Sequence, residues 1–325
     1  MQSGRNQPRS NFRRICWLLP HTLESVKTLP EGVDDRQLIH ALAAGWNLNV
    51  EDLDYIAEGF GSYHWLAVDN AGGRHFVTVD DLDQKGWLGS RRETAFNGLR
   101  RAFDTAAVLR AQGYLDFVVA PVSSADGDTV ARLGPRHTVA VFPYFDGEPT
   151  HFDQRLEPDE RADVVHMLVE LHQATSAVRA IAPHHRVELS ARRHLDAALH
   201  QLGTTWKGGP LSEPARALLG AHRGGVIGLL ATFDRLVAEV ATKGGDHVIT
   251  HGEPHAGNVM QVGEKLVLVD WDTVALAPPE RDLCMVATDT GEELALYLDL
   301  TGRAVDQAAM SLYRARWPLD DIAWS

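Results

Sequence analysis

One run constrains this 325-residue chain more than any other: His251-Gly252-Glu253-Pro254-His255-Ala256-Gly257-Asn258-Val259, then Leu266-Val267-Leu268-Val269-Asp270-Trp271-Asp272. It sets a carboxylate, Glu253, and a carboxamide, Asn258, five residues apart on one loop. A second carboxylate, Asp270, stands at the end of an apolar strand. Phosphoryl transfer uses such a set. One group orients or deprotonates the acceptor hydroxyl, while an Asn and an Asp hold Mg2+ against the nucleotide phosphates. Any one of these residues alone reads more simply as a polar side chain satisfying a buried turn. The combination favours a reaction centre.

The rest of the chain has room for one. Residues 1–30 read as a disordered extension. Their short apolar patch, Ile15 to Leu19, stops at Pro20 and is too brief for a signal-peptide core. Asp34 to Ala44 has helical periodicity with an acidic first turn. Strands follow at Leu53 to Ala57, Trp65 to Val68 and His75 to Val79, separated by glycine-bearing turns, which is the pattern of an antiparallel meander. A helix is expected from Arg92 to Ala111 with Gly113 as its C-cap, then strands at Phe117 to Ala120 and Thr138 to Phe142. Pro and Gly concentrate at 143–149, which marks an interdomain hinge. Beyond it the texture is helical: 158–174, 190–202, 218–242 and 292–313, with short strands flanking the motif. The expectation is therefore an α+β fold, with residues 31–145 as a small nucleotide-binding lobe and 146–325 as a larger helical lobe.

The motif resembles that of the aminoglycoside phosphotransferase family, which carries H-[GS]-D-x-H-x-x-N and then a strand ending in I/V-D-[WF]. The continuation through Pro278-Pro279-Glu280-Arg281-Asp282-Leu283 looks closest to spectinomycin-type members. The likeness runs from about Leu38 to the C-terminus and is specific at 251–283. It implies a bilobal, protein-kinase-like fold, ATP or GTP with Mg2+ as cofactors, and a small-molecule hydroxyl as acceptor, an aminoglycoside or aminocyclitol antibiotic among the candidates. Such chemistry is a route to antibiotic resistance. By resemblance His251 and Glu253 belong to the catalytic loop, Asn258 and Asp270 are the metal ligands, and Asp282 is a structural acid beside that loop. Relatives usually continue with more helix past the equivalent of Ser325, so part of the acceptor surface is expected to be shortened.

Two departures from the family pattern matter. Its catalytic Asp is Glu253 here, one methylene longer, and a displacement of about 1 Å costs roughly a hundredfold in rate unless the surroundings compensate. That leaves two readings open, a working base in a reshaped site or a relic in a catalytically weak, nucleotide-binding pseudokinase. The second departure is on the third strand, where Thr78 falls at the place of the lysine that holds the α/β-phosphates. Near Arg100, the partner Glu is missing as well. The replacement cation is sought among Lys85, Arg100 and Arg101, with Arg100 leading. The loop Gly59-Phe60-Gly61-Ser62 lets backbone amides approach phosphates and is similar to the family's nucleotide-positioning loop. Phe142 and Tyr144 flank the connector that contacts the purine in the family, though both also read as core residues at a lobe junction. A kinase for a metabolite such as choline or homoserine is a third reading.

Composition narrows the field. The net charge of −13 weighs against a nucleic-acid partner, and is compatible both with a cationic acceptor and with an acidic surface kept for solubility. Two cysteines in unrelated contexts, Cys16 and Cys284, suggest neither a disulfide framework nor a metal motif, which points to reduced thiols and a cytoplasmic setting. No apolar run reaches the length of a membrane span, so no membrane partner is expected.

Overall fold

A computed structural model describes residues 28–58, 61–149 and 154–324. The proposed N-terminal extension, apart from its last three residues, lies outside the described residues, as do Gly59 and Phe60.

The N-terminal part opens with helix α1 (Asp35–Trp46), capped by the Asp34 carboxylate, which accepts a hydrogen bond from the Gln37 amide at 2.8 Å. Strands β1 (Val50–Ile56), β2 (Tyr63–Asp69) and β3 (Arg74–Asp81) form the meander. After helix α2 (Arg92–Ala111), β4 (Ala131–Leu133) and β5 (His137–Pro143) complete an antiparallel sheet of order β1-β2-β3-β5-β4. Leu38, Leu42 and Trp46 of α1 pack with Trp65, Ala67, Val77, Val79, Val139 and Val141. Each such buried Leu is worth about 1.5–3 kcal/mol. Leu99 and Phe103 of α2 pack with Ala140 and Val130 in a second cluster.

Helix α2 also reaches into the C-terminal part. Its Ala102, Ala106 and Leu109 are buried in the same cluster as Leu168, Leu268, Trp271 and Leu283. Arg101 donates to the carbonyls of Ile181 and Ala182 at 3.1–3.2 Å. The connector runs into β6 (Glu148–Pro149), which pairs with β8 (Val259–Val262) in the three-stranded sheet β6-β8-β9, where β9 is Lys265–Leu268. The C-terminal part is mostly helical: α3 (Pro158–Gln173), α4 (Thr175–Val178), α5 (Arg192–His200), α6 (Ser212–Lys243), α7 (Glu280–Val286), α8 (Glu292–Thr301) and α9 (Gln307–Trp324). A two-stranded sheet of β7 (Val248–Thr250) and β10 (Ala275–Ala277) supports the motif. Among the described residues no helix is long and apolar enough to cross a membrane.

Several local expectations need correction. Phe117 to Ala120 is not a full strand; it touches β9 through one parallel bridge, Val118 to Leu268. The α2 C-cap is Gln112 rather than Gly113, and Tyr114 takes the left-handed conformation at φ 56°. The terminal helical region is two helices, because α8 ends at Gly302 with φ 68°.

Candidate active site

The motif loop leaves β7 and returns through the β8–β9 hairpin. Val259 pairs with Leu268, and the Val269 amide donates to the Asn258 carbonyl at 3.0 Å. Asn258 therefore faces Val269 across the hairpin, and Asp270 is the next residue along. Asp270 has φ 64°, an uncommon conformation for a residue with a side chain, though one Asp tolerates better than most. Its neighbours hold it there: Trp271 Nε1 donates to the Leu268 carbonyl at 2.8 Å, and His251 Nε2 donates to the Val269 carbonyl at 2.9 Å.

The loop's own backbone hangs on Asp282. One carboxylate oxygen accepts from the Gly252 amide at 2.6 Å, the other from the His251 amide at 2.9 Å and from His172 Nε2 at 3.2 Å. Behind it, the Tyr297 hydroxyl donates to His172 Nδ1 at 2.9 Å. Burial alone would push the Asp282 carboxyl up, but the His172 hydrogen bond and the nearby positive charge hold it below its ordinary range. Arg281, buried beside it, donates to Thr250 Oγ1 and the Thr273 carbonyl, both at 2.8 Å. Gly252 has φ 104°, and a Cβ there would lie 2.2 Å from the Arg281 guanidinium. Only glycine fits.

Glu253 is half-buried in this setting. Withdrawal from water, then the charge of Asp272, raises its carboxyl to about 7, against smaller opposing effects of Arg281, Arg316 and Lys85. His255 Nε2 stands 4.0 Å from its carboxylate, and burial lowers the His255 imidazole to about 4, so that ring is neutral. Asn258 donates through Nδ2 to the Glu253 carbonyl at 2.9 Å, which leaves its Oδ1 without a protein partner among the described residues. Asp270 is exposed to solvent on one side, with protein groups crowding its carboxyl on the other. That setting, followed by the charges of Asp272, Glu253 and Asp80, raises its carboxyl well above the usual range despite Lys85. Carboxylates thus outnumber cations here.

From the N-terminal part, Lys85 enters this group almost fully buried, its side chain 3 % exposed. Its Nζ lies 2.8 Å from Asp272, 2.9 Å from Asp80 and 3.0 Å from Ser62 Oγ. Burial would lower its pKa, but Asp272, Asp80 and Asp270 together raise it instead, so the charge is secure.

A model of the phosphotransferase enzyme family (APH) matches residues 52–315. The chain belongs to that family. No curated sequence matches it. Among solved structures it is similar to spectinomycin phosphotransferase APH(9)-Ia in complex with ADP and spectinomycin, at TM-score 0.70 and 18% identity, covering 90% of this chain and 88% of that one. It is also similar to amicoumacin kinase hAmiN in complex with AMP-PNP, Ca2+ and Ami, at TM-score 0.59 and 15% identity over 88% and 84% of the two chains. A third is choline kinase LicA from Streptococcus pneumoniae, at TM-score 0.53 and 14% identity over 89% and 90%. These similarities show the kinase-like fold of a phosphotransferase family, an antiparallel sheet followed by a helical part.

Against that family pattern, some of the expected residues converge and others do not. Glu253, Asn258 and Asp270 come together on the motif loop and hairpin. His251 sits with them but is fully buried, and it spends Nε2 on the Val269 carbonyl and Nδ1 on the Glu253 amide, 3.2 Å away. Burial lowers its pKa, and both ring nitrogens are taken up by backbone groups of the motif. Gly61, at φ 74°, and Ser62 frame the end of the glycine loop; Ser62 Oγ donates to Asp80 at 2.6 Å.

The other expected residues make different contacts. Thr78 Oγ1 meets His64 Nδ1 at 3.4 Å. Arg100 is exposed on α2 with its guanidinium 6.0 Å over Phe96, and Arg101 is committed to the Ile181 and Ala182 carbonyls. The leading candidate for the missing cation, Arg100, is therefore not beside Ser62, whereas Lys85 is. Phe142 packs edge-on against Phe103 at 5.5 Å, as a core residue would. Tyr144 lies under the Arg74 guanidinium at 4.6 Å and lines an open recess of about 430 Å³ with Asp146, Gly147 and Gln261. No motif in the sequence assigns a role to Asp80 or Asp272. The available signal was a Lys only five residues after an acid that ends an apolar strand.

Proposed function

We propose that this family member transfers the γ-phosphoryl group of a nucleoside triphosphate, ATP or GTP, to a hydroxyl of a small molecule. The observation that carries the proposal is Glu253, raised to about 7 and joined through its own carbonyl to Asn258, on a loop that runs alongside Asp270. A base poised near working pH matches general-base catalysis. Glu253 accepts the proton of the acceptor hydroxyl as its oxygen bonds to the γ-phosphorus. The bond to the leaving nucleoside diphosphate breaks, and the proton stays on the carboxyl. Tyr144 and its recess receive the base of the nucleotide.

Mg2+ suits Asn258 Oδ1 and Asp270, since it takes hard oxygen ligands, uses one or two protein donors and completes its shell with phosphates and water. Among the described residues no three His, Cys, Asp or Glu side chains form a closed metal cage. The surplus of carboxylates around Asp270 favours a cation there. When bound, it would offset phosphate charge. Asn258 and Asp270 would hold it, and Asp282 keeps the loop in place through two backbone amides.

The acceptor class is an aminocyclitol or aminoglycoside, supported by the similarity to spectinomycin phosphotransferase and by the acidic net charge. The enzyme would act in the cytoplasm, where nucleoside triphosphates are available. The test is ADP release over a panel of aminocyclitols, aminoglycosides and choline, with Asp270→Asn beside wild type. Turnover with at least one acceptor, abolished in Asp270→Asn, is expected. Turnover in Asp270→Asn within about twofold of wild type would rule out the metal role.

A further inference from the structure

The family's strand lysine is absent, yet the site has a buried lysine. Lys85 is the one lysine between residues 28 and 149, and it stands in the loop after β3. The other described lysines, Lys207, Lys243 and Lys265, are exposed on the C-terminal part. Its three neighbours come from three directions. Ser62 follows the glycine loop, Asp80 is on β3, and Asp272 is two residues past Asp270. The ammonium group therefore lies between the loop that would cover phosphates and the strand end that would hold their metal.

We infer that Lys85 takes the phosphate-contacting role that Thr78 cannot perform, so that the ion pair of kinase-like folds is rebuilt as Lys85–Asp80 within one strand and its following loop. This rests on the nucleotide reading above. In kinases the lysine comes from the third strand and its anchoring Glu from the next helix. Here Asp80 does the anchoring from the strand, and the helix position near Arg100 carries no acid. The Trp87 ring, 5.1 Å from Nζ, flanks the ammonium. Ser62 Oγ donates to Asp80 and accepts from Lys85, so the glycine loop is tied to the same pair. The reach to Asp272 adds a second property. Phosphate oxygens and Asp272 compete for one ammonium, so nucleotide binding loosens a bond that joins the two parts of the molecule.

Titration calorimetry with ADP and with adenosine, in MgCl2, tests the inference on wild type, Lys85→Met and Lys85→Met/Asp80→Asn. The double variant removes the anchoring charge and covers the case in which an orphaned Asp80 keeps the single variant from folding. ADP affinity should fall about tenfold or more, in the range for hydrogen bonds to charged groups. Adenosine, which has no phosphate, should bind within about twofold of wild type. Unchanged ADP affinity in a folded variant overturns the assignment and leaves the proposed function standing. Equal losses for ADP and adenosine also overturn it, because they mark Lys85 as a structural tie alone. If wild type binds neither at millimolar concentration, the nucleotide reading falls and takes the assignment with it.

Discussion

Glu253 makes the sharpest quantitative prediction. Its carboxyl is raised to about 7 by withdrawal from water and by Asp272. A raised carboxyl pKa favours the protonated form, so the base is present above pH 7 and lost as pH falls through it. At pH 6 about a tenth of the molecules would carry the ionised group, and at pH 5 about a hundredth. An unshifted glutamate, at about 4.3, would be almost fully ionised at pH 6. Turnover should therefore drop about tenfold per unit below pH 7, and Glu253→Gln should lose the slope along with most of the rate. Asp272→Asn should move the midpoint down, because it removes the second-largest cause of the shift. Carbon-13 NMR of glutamate-labelled protein, with Glu253→Gln to assign the resonance, reads the titration without any acceptor. A Glu253 midpoint near 4.3, or an acid limb that persists in Glu253→Gln, would refute the reasoning.

Two further predictions concern the frame around that loop. Gly252→Ala combines a left-handed backbone with a Cβ pressed onto Arg281, which would have to give up bonds to Thr250 and Thr273. Urea unfolding should show a loss of about 3–5 kcal/mol, and a loss under about 0.5 would mean the loop relaxes freely. Asp282→Asn sets an amide donor against one of three donors that now share the carboxylate, at a cost of about 1.5–3 kcal/mol. Its rate should fall more than its nucleotide affinity, and an unaltered rate would detach Asp282 from loop geometry.

The motif was legible because its chemistry is local in sequence. Glu253, Asn258 and Asp270 lie within eighteen positions, joined by a hairpin whose apolar strand announces itself. The meander and α2 were legible for a similar reason, since glycine turns and helical periodicity act over short spans. What escaped depends on tertiary contact. Lys85 looked like one of several surface cations, because only the fold brings Asp272, 187 positions away, to its ammonium. Counting along a helix favours Arg100, yet in the fold its guanidinium lies 6.0 Å over Phe96 and it is Lys85 that meets Ser62. The contacts of His251 are hidden from the sequence for the same reason. Its ring partners, the Val269 carbonyl and the Glu253 amide, are backbone groups that no side-chain pattern reveals.

Helix α2 sets how this molecule can breathe. Leu99 and Phe103 belong to the sheet's packing, while Ala102, Ala106 and Leu109, on the same helix, belong to the core of the helical part. A wide rotation of one part about the connector would have to draw those residues out of one core or the other. Amide exchange along α2 should therefore be slow and follow global unfolding. Between the two parts, Ser62 and Asp80 on one side and Asp272 on the other meet at the Lys85 ammonium, a polar joint beside this apolar one.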